Sequence, residues 1–365
     1  MTHALEVDLK FDARQQKALR YCSLCPRLCR HACPVAHGEA RETSTPWGLM
    51  RLLRLAEQGV VPTDQGLLET LNHCVSCGRC QSYCLHENPV AETLASARIQ
   101  LVSAGVPEPE RWAPSGDGCG VPGGVSFPET SQEPGARVWL ASCAHLKSSE
   151  RIERLLAAAS VMARLGIPVR LPSGSFSGCG FNQLSAGHLE ASQASWSAFL
   201  DMSPEPEPYA VTDCAKSLWL ARQHDHENRG TLHLLEYLVA HVDELPRGSG
   251  TLTVAVHDAC FPSRRLGLGG QLREVVAHVI GSPPIDLFES GQNARCCGSS
   301  SAWADVCGDA HERSVEMVMQ DALDTGADLF VTASSECAFA FKAYLEANEI
   351  SRLQVVDLLD LIIGV

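Results

Sequence analysis

Residues 74 to 84 read CVSCGRCQSYC, four cysteines at gaps of two, two and three. In that spacing the first three thiolates hold one [4Fe–4S] cube and the fourth reaches to a second, so another run is required. CSLCPRLCRHACP supplies it, with Cys22, Cys25, Cys29 and Cys33 at gaps of two, three and three, followed by Pro34. Paired C-x2-C hooks also build zinc sites. Two runs of four within eleven to twelve residues exceed what zinc needs, so the spacing favours iron–sulfur ligation. Cross-ligation then assigns Cys22, Cys25, Cys29 and Cys84 to one cluster, and Cys74, Cys77, Cys80 and Cys33 to the other. Two departures stand out: the extra residue between Cys25 and Cys29, and Leu85 where proline is usual.

A third feature is ARCCGSSS, in which Cys296 and Cys297 are adjacent and Gly298 follows. Neighbouring thiols leave the chain in different directions and make poor structural disulfides. The chain has 17 cysteines in 365 residues, an odd number that excludes complete internal pairing. Without an apolar leader or a run of about 20 apolar residues, the expectation is a soluble cytoplasmic chain, peripheral to a membrane only through a partner. In a reducing compartment clustered cysteines bind metal or do redox chemistry. The net charge is −14, yet residues 1–60 hold nine basic against six acidic residues, so the remainder carries −17. Such a body is a poor nucleic-acid partner. Arg20, Arg27, Arg30, Arg41 and Arg79 either offset an anionic cluster nearby or face solvent or a partner.

The elements that must position these thiols follow from periodicity. PWGLMRLLRLAEQGV and ENPVAETLASARIQLVSAG predict helices flanking the second run. Residues 107–136 are dense in Pro and Gly and predict a linker or extended arm, with Cys119 an isolated cysteine in it. Beyond it the chain repeats. Strands ARVWLASC and LTVAVHDAC run into Cys143 and Cys260. A helix follows each, then a short strand, PVRLPSG or PIDLFES, then a glycine turn, SGCG or RCCG. Further strands lead to Cys214 and Cys337, and each unit is expected to close with an apolar helix, LHLLEYLVAH or QVVDLLDLII. Alternating strands and helices imply parallel βαβ units, whose sites lie at strand carboxyl ends.

The first 106 residues resemble the helical two-cluster ferredoxin module of succinate dehydrogenase and heterodisulfide reductase subunits. The repeats resemble the cysteine-rich CCG domain pair found in heterodisulfide reductases and in the iron–sulfur subunits of glycolate and lactate oxidation. The resemblance implies an α+β multi-domain chain: a helical ferredoxin-like module (1–106), the linker (107–136), a degenerate first CCG-type unit (137–247) and a second (248–365). It also implies a metal site at Cys260, Cys296, Cys297 and Cys337. Ser334 stands where the family has a fifth cysteine. The alternatives there are a noncubane cluster with Ser334 as an oxygen ligand, a cubane cluster, zinc, or no metal. In the first unit Gly178 and Val211 replace cysteines, and Cys143, Cys179 and Cys214 read as a scaffold that no longer holds metal. Gly298 is expected to allow a tight turn against a cluster. His257 and Asp258 either serve a cluster as proton or hydrogen-bond donors or orient their loop. His145 and Cys307 read as core or surface residues.

Nothing in the chain matches a dinucleotide fingerprint, so two-electron chemistry is expected elsewhere. The resulting expectation is an electron-transfer subunit with two [4Fe–4S] clusters, and a third in the second unit on the resemblance. It relays single electrons between a partner flavoprotein dehydrogenase or oxidase subunit and an acceptor: a quinone, an electron-transferring flavoprotein or another iron–sulfur protein. The alternatives are heterodisulfide-type disulfide reduction near Cys296 and Cys297, and a zinc-stabilised interaction module. The chain is thus expected to be the electron-transfer subunit of an oxidoreductase complex rather than its substrate-converting subunit.

Overall fold

The computed structural model describes residues 6–27, 29–113, 136–172, 178–201, 210–224, 230–299 and 302–364. Most of the expected linker, including Cys119, lies outside them. Its described start differs from a free arm: residues 110–112 form a helical turn, and Trp112 is only 1% exposed. The chain divides into two compact units, one of residues 1–114, 182–193 and 295–318, the other of residues 115–181, 194–294 and 319–365.

The first unit opens with α1 (Ala13–Leu24), α2 (Pro34–Glu39), α3 (Pro46–Glu57), α4 (Gln65–Asn72), α5 (Arg79–Ser82) and α6 (Val90–Ser103). Local sequence sets their starts. Asp12 and Gln15 form a reciprocal capping box, Asp64 caps α4, and Thr45 caps α3 directly ahead of Pro46, whose missing N–H costs nothing there. Leu49, Met50, Leu53 and Ala56 make one buried face of α3. That face joins Leu19, Leu68, Leu71, Leu94 and Leu101 in a single core, each buried leucine contributing about 1.5–3 kcal/mol by area. The cysteine runs therefore lie at helix ends and in the loops between them, held by a small helical core.

The remaining chain holds β1 (Arg137–Leu140), α7 (Ser149–Arg164), β2 (Val169–Arg170), α8 (Phe181–Ala186), α9 (Leu189–Asp201), β3 (Val211–Thr212), α10 (Ala215–His224), β4 (Leu232–His233) and α11 (Leu234–Ala240). It continues with β5 (Val254–His257), α12 (Gly269–Ile280), β6 (Ile285–Asp286), α13 (Trp303–Val306), α14 (Gly308–Asp324), β7 (Leu329–Thr332), α15 (Ser335–Ala347), β8 (Gln354–Val356) and α16 (Leu358–Ile363). Two four-stranded sheets result, ordered β2-β1-β3-β4 and β6-β5-β7-β8, with every pairing parallel. The identical order establishes the internal repeat, and the whole is the expected α+β combination.

The closing segments differ from expectation. LHLLEYLVAH and QVVDLLDLII do not form single helices; each splits into the fourth strand of its sheet and a short helix. A continuous apolar run does not reveal its own period. The break is made by the cap: His233 and Asp357 sit in extended conformation and accept backbone N–H groups of α11 and α16.

The His233 cap is a testable device. Its Nδ1 accepts the Leu235 N–H at 3.1 Å, which requires a neutral ring, and burial lowers its pKa to about 4. A depressed imidazole pKa means the unfolded chain takes up the proton first as pH falls. Stability is therefore full above about pH 6.5 and declines towards about pH 4, by up to about 1.4 kcal/mol per pH unit. Thermal melts between about pH 7.5 and 5 should show that slope, and His233→Asn, which keeps a capping oxygen, should flatten it.

Candidate metal centres

The eight N-terminal cysteines fall into two groups that interleave the runs. Cys22 is surrounded by Cys25, Cys29 and Cys84, and Cys29 in turn by Cys25 and Cys84. Cys33 is instead surrounded by Cys77 and Cys74, and Cys80 by Cys77, Cys74, Cys29 and Cys33. Cys33, Cys74, Cys77 and Cys80 line one cavity, whose other walls include Pro34, Val35, Leu49, Val75 and Val90. The backbone turns tightly in both loops: Arg27 and Ser76 take left-handed conformations with φ of 66° and 55°, and Gly78 has φ of 72°. A left-handed residue between paired cysteines lets their thiols converge.

This donor set suits a cationic group. Burial, reinforced by neighbouring sulfurs, pushes the Cys22 thiol up to about 12 and Cys29 to about 11, and raises Cys33 and Cys80 further. Four crowded, buried sulfurs are stable as thiolates only against metal charge. Polar support is in place, with the Asn88 amide donating to Cys22 Sγ at 3.3 Å.

The arginines are arranged differently from the charge count. Arg20, Arg27, Arg30 and Arg41 are exposed, and Arg27 and Arg30 pair with Glu42 at 3.4 and 2.7 Å. Arg79 is buried and donates to the Ala32 carbonyl at 3.2 Å. The arginine that the sequence reading missed is Arg98 on α6, fully buried. It donates to the Leu71 carbonyl at 2.8 Å, the Cys74 carbonyl at 3.4 Å and Ser76 Oγ at 3.5 Å. Burial lowers its pKa while Cys74 opposes that shift. A charged residue at a position i+4 from Leu94 within an apolar helix was the available signal.

In the second unit each repeat places cysteines where its strand order reverses. Cys143 follows β1 and Cys214 follows β3; Cys260 follows β5, and Cys337 lies in the first turn of α15, just after β7. This is the crevice where open parallel sheets hold ligands. Cys260 opens a π-helical turn through Arg265, a local form frequent at functional sites. Cys260 and Cys337 are 4% and 2% exposed. Cys296 and Cys297, also buried, lie in the stretch that clusters with the first unit.

Several of the remaining candidate residues make local structural contacts. Ser334 caps α15, its Oγ accepting the Cys337 N–H at 3.4 Å and donating to Glu336 at 3.3 Å. Gly298 has φ of 84°, and a β-carbon there would stand 2.5 Å from Trp303 Cζ3, so the indole also demands glycine. Asp258 pairs with Arg273 at 2.7 Å and accepts the Gly291 N–H at 2.6 Å and Ser263 Oγ at 3.1 Å. It orients its loop. His257 packs edge-on to Phe341, with ring centroids 5.1 Å apart. His145 is not a bland core residue: its Nε2 meets Asp213 at 3.1 Å, and Asp213 also accepts Trp139 Nε1 and the Ser142 N–H, both at 2.9 Å. The carboxylate raises the imidazole pKa against its burial.

The first repeat keeps its three cysteines together. The Cys214 thiol donates to Cys179, which Ser217 and the Phe181 N–H also approach, and Cys143 is close enough to oppose ionisation of Cys179. Those bonds hold Cys179 low and Cys214 high. Beside them Lys216 and Glu336 form a buried ion pair at 2.6 Å.

Grouped thiols in a helical unit, followed by parallel sheets with cysteines at their switch points, are the parts an iron–sulfur protein requires. Comparison with known proteins agrees. Residues 18–88 match the family model of the 4Fe-4S dicluster domain, and residues 254–342 that of the cysteine-rich domain. A fumarate reductase (CoM/CoB) subunit of Methanothermobacter marburgensis is 22% identical over 96% of this chain and 73% of its own length. A dihydromethanophenazine:CoB–CoM heterodisulfide reductase subunit of Methanosarcina barkeri is 27% identical over 30% of this chain and 27% of its own. Lactate utilization protein A 1 of Bacillus cereus is 20% identical over 56% of this chain and 90% of its own. The chain is an electron-transferring iron–sulfur subunit related to these reductase subunits. No helix among the described residues is long and apolar enough to cross a membrane.

Proposed function

We propose that the chain relays single electrons between a partner flavoprotein subunit and a downstream acceptor, through two [4Fe–4S] clusters in its first unit. The observation that carries this reading is the interleaving of the two cysteine runs into two four-sulfur groups. Bound there, the clusters would supply reversible one-electron chemistry. Cys22, Cys25, Cys29 and Cys84 would hold one, and Cys33, Cys74, Cys77 and Cys80 the other. Asn88 stabilises added negative charge at the first group through its N–H···S bond, and Arg98, which reaches the Cys74 carbonyl, and buried Arg79 do so for the second group from the protein interior. Leu24 and Leu85, next in sequence to Cys25 and Cys84, are 87% and 96% exposed; these apolar side chains suit a partner docked at the Cys22 group. The relatives named for fumarate and heterodisulfide reduction and for lactate utilization support membership of a multi-subunit oxidoreductase.

A third centre at Cys260, Cys296, Cys297 and Cys337 is proposed from the sequence pattern and its match to the cysteine-rich family. Iron and acid-labile sulfide on anaerobically purified protein test both statements. About eight irons per chain are expected from the first unit, and about twelve with the third centre. EPR of the reduced protein should show interacting signals from the pair. A colourless protein without labile sulfide would remove the proposal.

A further inference from the structure

Outside both thiol groups, Glu39, His73 and Cys307 converge, each offering a ligand atom within 4.8 Å of the others. All three lie in the first compact unit, yet they come from the end of α2, the cap of α4 and the junction between α13 and α14. None belongs to the eight cluster cysteines. The trio is held in place before any ion arrives. Glu39 Oε1 accepts His73 Nδ1 at 2.5 Å and Trp303 Nε1 at 2.6 Å, and its other oxygen accepts the Ser44 hydroxyl. The His73 ring packs against buried Trp112, with centroids 5.1 Å apart. Arg313 Nε donates to the Gly38 carbonyl at 2.7 Å and Ser314 Oγ to the Pro34 carbonyl at 3.0 Å, fixing α14 to α2.

We propose that Glu39, His73 and Cys307 bind one zinc ion. One thiolate, one imidazole and one carboxylate form a borderline-soft donor set that suits zinc and is unsuited to calcium or magnesium. The thiolate and carboxylate together balance the dication. Three protein ligands leave a fourth position for water, and all three residues are only partly buried. Binding releases the Cys307 thiol proton to solvent and involves no change of oxidation state. Hydrogen bonds to the carboxylate and packing on the imidazole are the kind of outer support that orients metal ligands. The ion would pin three distant stretches of chain, one of them the residue directly before Cys74.

The test uses the full-length, cluster-loaded protein, prepared anaerobically, incubated with one equivalent of zinc and desalted. Zinc, iron and labile sulfide are then counted, and the zinc X-ray absorption edge reports its neighbours. About one zinc per chain is expected, with a single sulfur at about 2.3 Å and otherwise nitrogen and oxygen. Cys307→Ser should cut zinc retention by roughly ten-fold or more without changing the iron count. Glu39→Gln should do the same and stands as the test if the serine variant does not fold. Wild-type protein that retains no zinc, a neighbour shell of two or more sulfurs, or retention indifferent to both substitutions would overturn the site.

Discussion

Replacing both Cys33 and Cys74 with alanine should leave about four irons per chain in the first unit, whereas replacing Cys33 and Cys22 should leave none there. The two outcomes differ because the thiols group across the runs. Cys33 belongs by sequence to the first run but is surrounded by Cys74 and Cys77, and it shares their cavity. Cys33→Ala and Cys74→Ala therefore damage the same cluster, while Cys22→Ala damages the other. If each run instead held its own cube, the Cys33/Cys74 pair would empty both sites and the Cys33/Cys22 pair would spare one. Iron and labile-sulfide counts on anaerobic protein distinguish the two, and Cys84→Ala combined with Cys22→Ala gives an independent check. The expected effect is total for one cluster, since a buried cubane short of one thiolate is exposed to loss.

Arg98→Leu is expected to lower the midpoint potential of the cluster beside Cys74 and to destabilise the fold. The guanidinium is fully buried and reaches the carbonyls of Leu71 and Cys74. Leucine would take away the hydrogen bonds that Arg98 gives these two carbonyls, at about 0.5–1.5 kcal/mol each, while the Leu71 carbonyl keeps the Cys74 N–H. The electrostatic part is separable. Unit charges interact by about 4 kcal/mol at 4 Å through an effective dielectric of about 20, and less with distance, so losing the guanidinium should lower the potential by on the order of tens of millivolts. Arg98→Lys keeps the charge but not the planar fork, so it should lose stability with a smaller change in potential. Potentiometric titration followed by EPR makes the measurement. An unchanged potential in a folded, fully loaded Leu variant would show that Arg98 serves only the backbone.

Much of this arrangement is legible in the sequence. The runs around Cys22 and Cys74 announce themselves because cubane ligation needs short, fixed gaps, and α3, α6, α7 and α12 because their apolar residues repeat at helical spacing. The sheet cores were readable from β-branched runs ending at cysteines. What escaped was whatever depends on distant chain. β4 and β8 were hidden in apolar runs that read equally as helix, and only the caps His233 and Asp357 separate strand from helix. Arg98 looked like one more basic residue on α6, because burial of a charge is decided by the carbonyls it meets. Ser334 stands at the ligand position of the family pattern, and its role as the cap of α15 needed the fold to be seen. Cys307 carried no motif, since its neighbours Glu39 and His73 lie more than 230 residues earlier.

The first unit is not a detachable cassette. Its helical bundle is completed by residues 182–193 and 295–318, which the chain supplies only after long excursions. Gly187 packs so closely on α6 that a β-carbon would lie 2.7 Å from the Arg98 carbonyl, and Trp303 and Arg313 clasp the end of α2. A stop codon placed after residue 114 would strip those walls away and leave Trp112, Glu39 and the back of α6 open to solvent. Such a protein could not be exchanged between enzymes by simple fusion at the linker. The part that groups the eight thiols is closed by two stretches of sequence that the ribosome makes only much later.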